Sequence, residues 1–169
     1  KHNVTLGEKN INTSAEAVVI GYVNEIRDNN SSQTVMIGTK NSLKAEQSVI
    51  IGNDVMGFGK SVVAIGSDDK VPGRIDAKYY NLIAENVLKT YGKVEKEIEV
   101  EENGVKVKKI VEVTDENEKR EIIKSLIRVG SSWSRTFASG NGSTAVGARA
   151  AAVTSEGVAI GGLALAIGE

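Results

Sequence analysis

The chain offers little from which a catalyst can be built. A single histidine, His2, stands at its start, and there is no cysteine among 169 residues. A Ser–His–Asp set, a cysteine nucleophile and a histidine-based metal site all need more than that. Carboxylates are plentiful, but most fall in one charged stretch, and nothing brings a pair to a cleft as two-carboxylate glycoside hydrolysis requires. Met56-Gly57-Phe58-Gly59-Lys60 has the glycines of a phosphate loop without the strand–loop–helix setting that aims backbone amides at phosphate. Asp68 and Asp69 follow a repeated glycine and read as a solvated turn rather than an ion site. No catalytic residue, metal ligand or cofactor site is expected, and the chain reads as a non-enzyme.

What remains is the chemistry of contact between proteins, whose energy concentrates in a few Trp, Tyr and Arg anchors. Outside the repeats described below, only a few places supply such residues, and two stand out. One is Trp133-Ser134-Arg135-Thr136-Phe137; the other is the polar run Asn24 to Ser32, which holds Arg27 and Asp28. Arg27, Asp28, Trp133, Arg135 and Phe137 are therefore the candidate partner contacts. Each has a plainer alternative. Trp133 can equally pack one part of the chain on another, and the polar run can be a tolerated loop. Tyr79 and Tyr80 read as helix core.

The elements that must position these residues are set by a recurring phrase. It reads Val4-Thr5-Leu6-Gly7, Val18-Val19-Ile20-Gly21, Val35-Met36-Ile37-Gly38, Val49-Ile50-Ile51-Gly52 and Val63-Ala64-Ile65-Gly66. After a gap come Thr144-Ala145-Val146-Gly147, Val158-Ala159-Ile160-Gly161 and Leu165-Ala166-Ile167-Gly168. Successive glycines are mostly fourteen residues apart; Gly21 to Gly38 is seventeen. A fixed period of this size marks a stacked solenoid. Further glycines at seven-residue spacing, such as Gly59 and Gly73, split each period into two short strands and two turns. Gly7, Gly21, Gly38, Gly52, Gly66, Gly147 and Gly161 are read as turn glycines, since glycine accepts positive φ without a Cβ penalty. Coils of this kind advance by the inter-strand spacing, about 4.8 Å.

Side chains alternate across a strand, so each phrase sorts into two faces. Val18 and Ile20, with their equivalents in the other coils, form a nearly all β-branched column, expected inside the coil. Val19, Met36, Ile50 and Ala64 form the other column, also apolar, expected to face a second copy of the chain, because a strand with one wet face would alternate with polar residues. The intervening half-coils, Ile11-Asn12-Thr13 and Ser42-Leu43-Lys44, alternate as an outer wall does. Leu163 to Ile167 is apolar throughout and either begins a coil early or caps the stack.

Residues 1–73 thus form one β-roll block and residues 140–169 resume it. Residues 74–139 break the period. Asp76 opens a helix to about Tyr91 with Tyr80, Ile83, Ala84, Val87 and Tyr91 on one face, stopped by Gly92. Alternating residues from Ile98 to Val113 around Asn103-Gly104 predict a hairpin. Asp115 caps a second helix, with Glu118 as capping-box partner, a stripe of Ile122, Ile123, Leu126 and Ile127, and Gly130 at its end. The insert is a helix–hairpin–helix unit dense in Glu and Lys, whose charges read as solvated faces. Formal net charge is −1, which argues against nucleic acid or an anionic membrane as partner. No apolar run approaches the twenty residues of a membrane span. A start at Lys1 without Met reads as a piece of a longer protein.

Ser48-Val49-Ile50-Ile51-Gly52, Val63-Ala64-Ile65-Gly66, Ser143-Thr144-Ala145-Val146-Gly147-Ala148-Arg149-Ala150 and Gly157-Val158-Ala159-Ile160-Gly161 resemble the YadA-like head repeats of trimeric autotransporter adhesins. The resemblance spans residues 1–73 and 140–169. It implies a left-handed parallel β-roll, a homotrimer, and display at the outer-membrane surface of a Gram-negative bacterium, held by an anchor outside this sequence. The implied function is attachment to a host surface receptor, immunoglobulin-type ones included, or to a matrix protein. The long insert matches no named interruption of such heads. The alternative reading is a trimeric phage or other fibre β-helix recognising carbohydrate. A hexapeptide-repeat acyltransferase would need a six-residue period and a catalytic histidine in the coils, and neither is present.

Overall fold

A computed structural model describes residues 2–26, 32–44, 46–70, 77–91, 94–102, 104–129 and 133–167. The protein is mainly β, and the repeats stack as expected into parallel sheets. In chain order the roll begins with β1 (Val4–Glu8), β2 (Ile11–Asn12), β3 (Ala17–Tyr22), β4 (Glu25–Ile26), β5 (Thr34–Thr39), β6 (Ser42–Leu43), β7 (Val49–Asn53), β8 (Met56–Gly57) and β9 (Val63–Ser67). The insert follows as β10 (Asp69–Lys70), α1 (Ala77–Tyr91), β11 (Glu95–Glu102), β12 (Val105–Glu112), α2 (Glu116–Ile127), β13 (Arg128–Val129) and β14 (Trp133–Ser134). The roll resumes with β15 (Phe137–Ala138), β16 (Thr144–Val146), β17 (Ala151–Ala152), β18 (Val158–Ile160) and β19 (Leu165–Ala166).

Two seven-stranded parallel sheets form the walls. Wall A has the order β1-β3-β5-β7-β9-β16-β18, and wall B the order β2-β4-β6-β8-β15-β17-β19. The stretch Leu163 to Ile167 thus supplies the wall B strand of the last coil, with Leu165 beside Ala151. The three additional residues of the seventeen-residue coil fall after Ile26, because Glu25 and Ile26 stack in register on Ser42 and Leu43. Arg27 and Asp28 lie in that stretch, outside the described residues.

Burial reverses the expected faces of wall A. Val19, Met36, Ile50 and Ala64 are fully buried in the roll's own core, against Ile26, Leu43, Val55 and Val62. They face no second chain. The Val/Ile column points outward instead: Ile37 is 36% exposed, Val158 62% and Ile160 68%. The physical reason is volume. The interior is narrow, so a large residue on one wall needs a small one opposite. A Cβ added to Gly57 on wall B would lie 2.8 Å from Ile50 Cδ1. Further along, alanines fill both sides, with Ala64, Ala145 and Ala159 on wall A and Ala138 and Ala152 on wall B.

The repeated glycines also differ from expectation in place. Gly21, Gly38 and Gly52 lie within strands, and the turn is made two residues later. There Lys9, Val23, Lys40, Asp54, Arg149 and Leu163 take φ between 53° and 62°. Glycine is required by close approach as well as by φ. A Cβ on Gly21 would come within 1.9 Å of Gly38 O. Gly7, Gly21, Gly38, Gly52, Gly147 and Gly161 have positive φ, whereas Gly66 does not.

The space beside these glycines is used by an asparagine ladder. Asn24 Nδ2 donates to Ile20 O at 3.2 Å and to Gly38 O at 2.8 Å, and Asn24 Oδ1 accepts from Asn41 N at 3.2 Å. Asn10 and Asn41 repeat the pattern one coil away on each side, Asn41 Oδ1 accepting from Val55 N. Buried backbone groups that the sheet leaves unpaired at the corner are satisfied this way.

The insert has the expected helix–hairpin–helix order plus a small sheet of β10, β14 and β13. Glu118 N donates to Asp115 Oδ1 at 2.7 Å, the N-cap the sequence predicts. The Glu118 carboxylate pairs with Lys96 of the hairpin. Ile83, Ala84 and Val87 of α1 and Ile123 and Ile127 of α2 are buried, and Ile122 and Leu126 are half-buried. Asp76, Gly92, Asn103 and Gly130 lie outside the described residues.

Two adjacent substitutions should act in opposite directions. Asn24→Ala orphans buried carbonyls and an amide, each worth about 1–3 kcal/mol, so it should lower stability by about 3 kcal/mol or more. Val23→Gly relieves a β-branched residue held in the left-handed region, a strain of roughly 1–2 kcal/mol, and should raise or preserve stability. Urea midpoints at one fixed protein concentration measure both.

Candidate protein-interaction surface

Each wall of the roll has an apolar outer side, and among the described residues only wall B is packed against by the insert. On wall B the outward residues Met56, Phe137, Ala151 and Val153 are buried beneath the insert, in one cluster with Ile83, Val87, Ile123 and Ile127. The Phe58 and Phe137 rings stand 5.6 Å apart at an interplanar angle of 56°, a tilted aromatic pair. On wall A the outward positions form two columns seven rungs long. One runs from Val4 through Val18, Val35, Val49 and Val63 to Thr144 and Val158. The other runs from Leu6 through Ile20, Ile37, Ile51 and Ile65 to Val146 and Ile160. Thr144 is their one polar member. At about 4.8 Å per rung this face is roughly 30 Å long. Contiguous apolar surface on that scale marks an interaction site in a soluble protein. A polar column of Glu8, Tyr22, Thr39, Asn53 and Ser67 borders it, and Lys9 of the adjoining corner lies 5.3 Å from the centre of the Tyr22 ring.

The candidate contacts read from sequence fall elsewhere. Phe137 is a wall B strand residue with no exposed surface. It anchors the insert and is closed to a partner. Arg135 belongs to the same joint. Its Nη1 lies 3.8 Å from Asp54 Oδ1, and its side chain is mostly buried. Burial pushes the Arg135 guanidinium below its usual range, opposed by the charges of Asp54 and Asp68. Burial likewise raises the Asp54 carboxyl; Arg135 and Lys40 act to lower it, and Asp68 to raise it. The pair is therefore a partly desolvated latch between a roll corner and the returning insert. Trp133 lies in β14, next to Lys70 on one side and Val129 on the other. Its side chain is outside the described residues.

A cleft of about 220 Å³ lies between wall B and the insert, lined by Met56, Phe58, Val87, Ile122 and Leu126, with Lys44 and Glu95 3.7 Å apart among its lining residues. It lies at the edge of the insert and is smaller than the roughly 300–1,000 Å³ usual for small-molecule sites. Among the described residues no cluster of His, Cys, Asp or Glu is arranged to hold a metal ion, and no helix is long and apolar enough to cross a membrane.

The residues that the sequence reading missed are the outward Val/Ile columns. A signal for them exists. Gly21 must lie inward to meet the next coil's carbonyl, and Val19 shares its parity, so Val18 and Ile20 have to face out. Searches of family models, curated proteins and solved structures find no match to this chain.

The latch carries a pH signature. The folded protein holds the Asp54 proton more tightly than the unfolded chain does. The folding contribution of that group is fully present below the ordinary carboxylate range and is lost as pH rises through the raised folded value. Asp54→Asn, which mimics the protonated acid, should gain stability relative to the parent at pH 7, and the gain should shrink towards pH 4. Urea midpoints across that range would contradict this if the gain grew on acidification.

Proposed function

We propose that this chain is the surface-displayed head of a bacterial adhesin, built as a left-handed β-roll and assembled as a homotrimer. In this reading the two outward columns of wall A meet around the shared axis, and a host cell-surface receptor or extracellular-matrix protein binds the exterior. The observation that carries it is the asymmetry of the two walls. The chain invests an insert in covering the apolar side of wall B and leaves the longer apolar face of wall A uncovered. Obligate interfaces resemble a core cut in half, rich in aliphatic side chains and poor in charge, and that face fits the description. The number three, the handedness and the setting at the outer membrane rest on the resemblance of the repeated phrases to YadA-like heads. Adhesion follows from the same resemblance, together with a scaffold of stacked rungs that projects a rigid wall from its point of attachment.

Sedimentation equilibrium tests the assembly. The parent should sediment as a trimer. Ile37→Asp and Ile51→Asp place an unpaired charge in each copy of the interface, at a cost of several kcal/mol, roughly, and should give folded monomers. Ile50→Asp, one residue away but inside the roll, should unfold the chain instead. A monomeric parent would refute the assembly. Binding of the trimer to an array of host matrix and surface proteins tests adhesion, and a profile no different from that of serum albumin would refute it.

A further inference from the structure

The insert enters the roll at a single corner, and the two residues that flank it are the two halves of one corner. In every other coil a corner residue and its successor act together. The first donates its amide to wall A of the preceding coil: Lys40 N to Tyr22 O at 2.9 Å, Asp54 N to Thr39 O at 2.9 Å, Leu163 N to Ala148 O at 3.0 Å. The second passes its carbonyl back to wall B: Asn41 O to Glu25 N at 2.9 Å, Val55 O to Ser42 N at 3.0 Å, Ala150 O to Phe137 N at 2.9 Å. At the insert the first role falls to Asp68, whose amide donates to Asn53 O at 3.1 Å. The second falls to Thr136, whose carbonyl accepts from Met56 N at 3.0 Å. Consecutive everywhere else, these two positions are here separated by residues 69–135.

Both ends are also held together directly. Thr136 Oγ1 donates to Ser67 O at 3.0 Å, and Arg149 N donates to Ser67 O at 3.3 Å and to Thr136 Oγ1 at 3.2 Å. Wall A keeps strict register across the gap, with Val63, Ala64 and Ile65 beside Thr144, Ala145 and Val146. Asp68 is the one residue of its corner series without a left-handed φ, because there the chain steps out of the coil.

We infer that residues 69–135 are a cassette spliced into one corner, which can undock or be removed while the roll stays closed. The dependence runs one way. The roll core of Val19, Met36, Leu43, Ile50 and Ala64 contains no insert residue, whereas the insert's core borrows Met56, Phe137, Ala151 and Val153 from wall B. Independence of the roll does not require the adhesion reading.

Native-state hydrogen exchange on the full chain tests this. Ile123→Asp breaks the insert core, and amides of α1, α2, β11 and β12 should then exchange at least a hundredfold faster. Amides of β5, β7, β9 and β16 should keep their protection within about threefold. Met36→Asp should instead release protection in both parts. Faster exchange across the β9–β16 pair in Ile123→Asp would overturn the inference. Deletion of residues 69–135, joining Asp68 to Thr136, is the second arm. It uncovers Met56, Phe137 and Val153, so it is made both alone and with Met56→Ser, Phe137→Ser and Val153→Thr. One of the two should unfold cooperatively with a β-type circular dichroism spectrum lacking helix. Failure of both would equally overturn it.

Discussion

The roll depends on backbone meeting backbone at one corner. Gly21, Gly38 and Gly52 stack so closely that a Cβ on any of them would lie under 2 Å from the carbonyl oxygen of the next glycine. Nothing but glycine fits, and asparagine at positions 10, 24 and 41 then reaches one carbonyl of its own coil and a carbonyl and an amide of the next. This contact fixes the coil length, because a residue gained or lost within the strands would move every glycine off its partner and flip every side chain to the other face. Length can change only at corners. The two departures from the fourteen-residue period follow that rule: three residues after Ile26, and the insert after Asp68.

That constraint explains what the sequence disclosed and what it concealed. The period, the presence of an insert and the order of its helices and hairpin were legible, because glycine spacing and apolar periodicity report backbone geometry directly. The eighth phrase, Leu165 to Gly168, was not a wall A repeat, since Leu165 and Ala166 are a wall B strand. The insert's bounds moved from 74–139 to 69–135, since Phe137 and Ala138 already belong to wall B. The inside and outside of wall A were not, because both columns are apolar and hydrophobicity alone cannot rank them. Side-chain size could have done so. The buried column runs Val19, Met36, Ile50, Ala64, Ala145 and Ala159, each matched to what faces it across a narrow interior. The outward columns are β-branched at every rung but Leu6, as suits an extended face with no fixed volume to fill. Phe137 was misjudged for a related reason. An aromatic next to Trp133 and Arg135 looks like an exposed anchor until the register places it between Met56 and Ala151 on a wall strand.

The two outer sides of the roll differ in what covers them. The middle of wall B is closed by the chain's own insert, while Ile11 and Leu165 at its two ends stay exposed. The insert's hairpin carries ion pairs such as Glu97–Lys108 and Glu99–Lys106 on one face. Such exposed pairs contribute little to stability; their effect is to keep that face soluble and unattractive to other strands. Wall A bears no such charges on its two central columns. The contrast between a charged, self-covered side and an uncharged, uncovered one is what a chain needs if copies of itself and other molecules are to be received on different faces.

What holds the insert on wall B can be decided by magnitude. The Arg135–Asp54 contact at 3.8 Å is too long for a strong hydrogen bond, and burial shifts both groups towards their neutral forms. A partly desolvated pair of this kind roughly breaks even against the water it displaces. Against it stand Phe137, Ile83, Ile123 and Ile127, each fully buried at the joint or in the core it shares with the insert. A buried side chain of this size contributes about 1.5–3 kcal/mol. The apolar contacts therefore fasten the insert, and the ion pair chooses the corner at which it sits. Because apolar burial is non-directional, position has to come from elsewhere. Thr136, whose one hydroxyl proton lies between Ser67 O and Gly147 O of adjacent coils and whose oxygen accepts from Arg149 N, supplies it, which is why the chain can leave the roll for 67 residues and return in register.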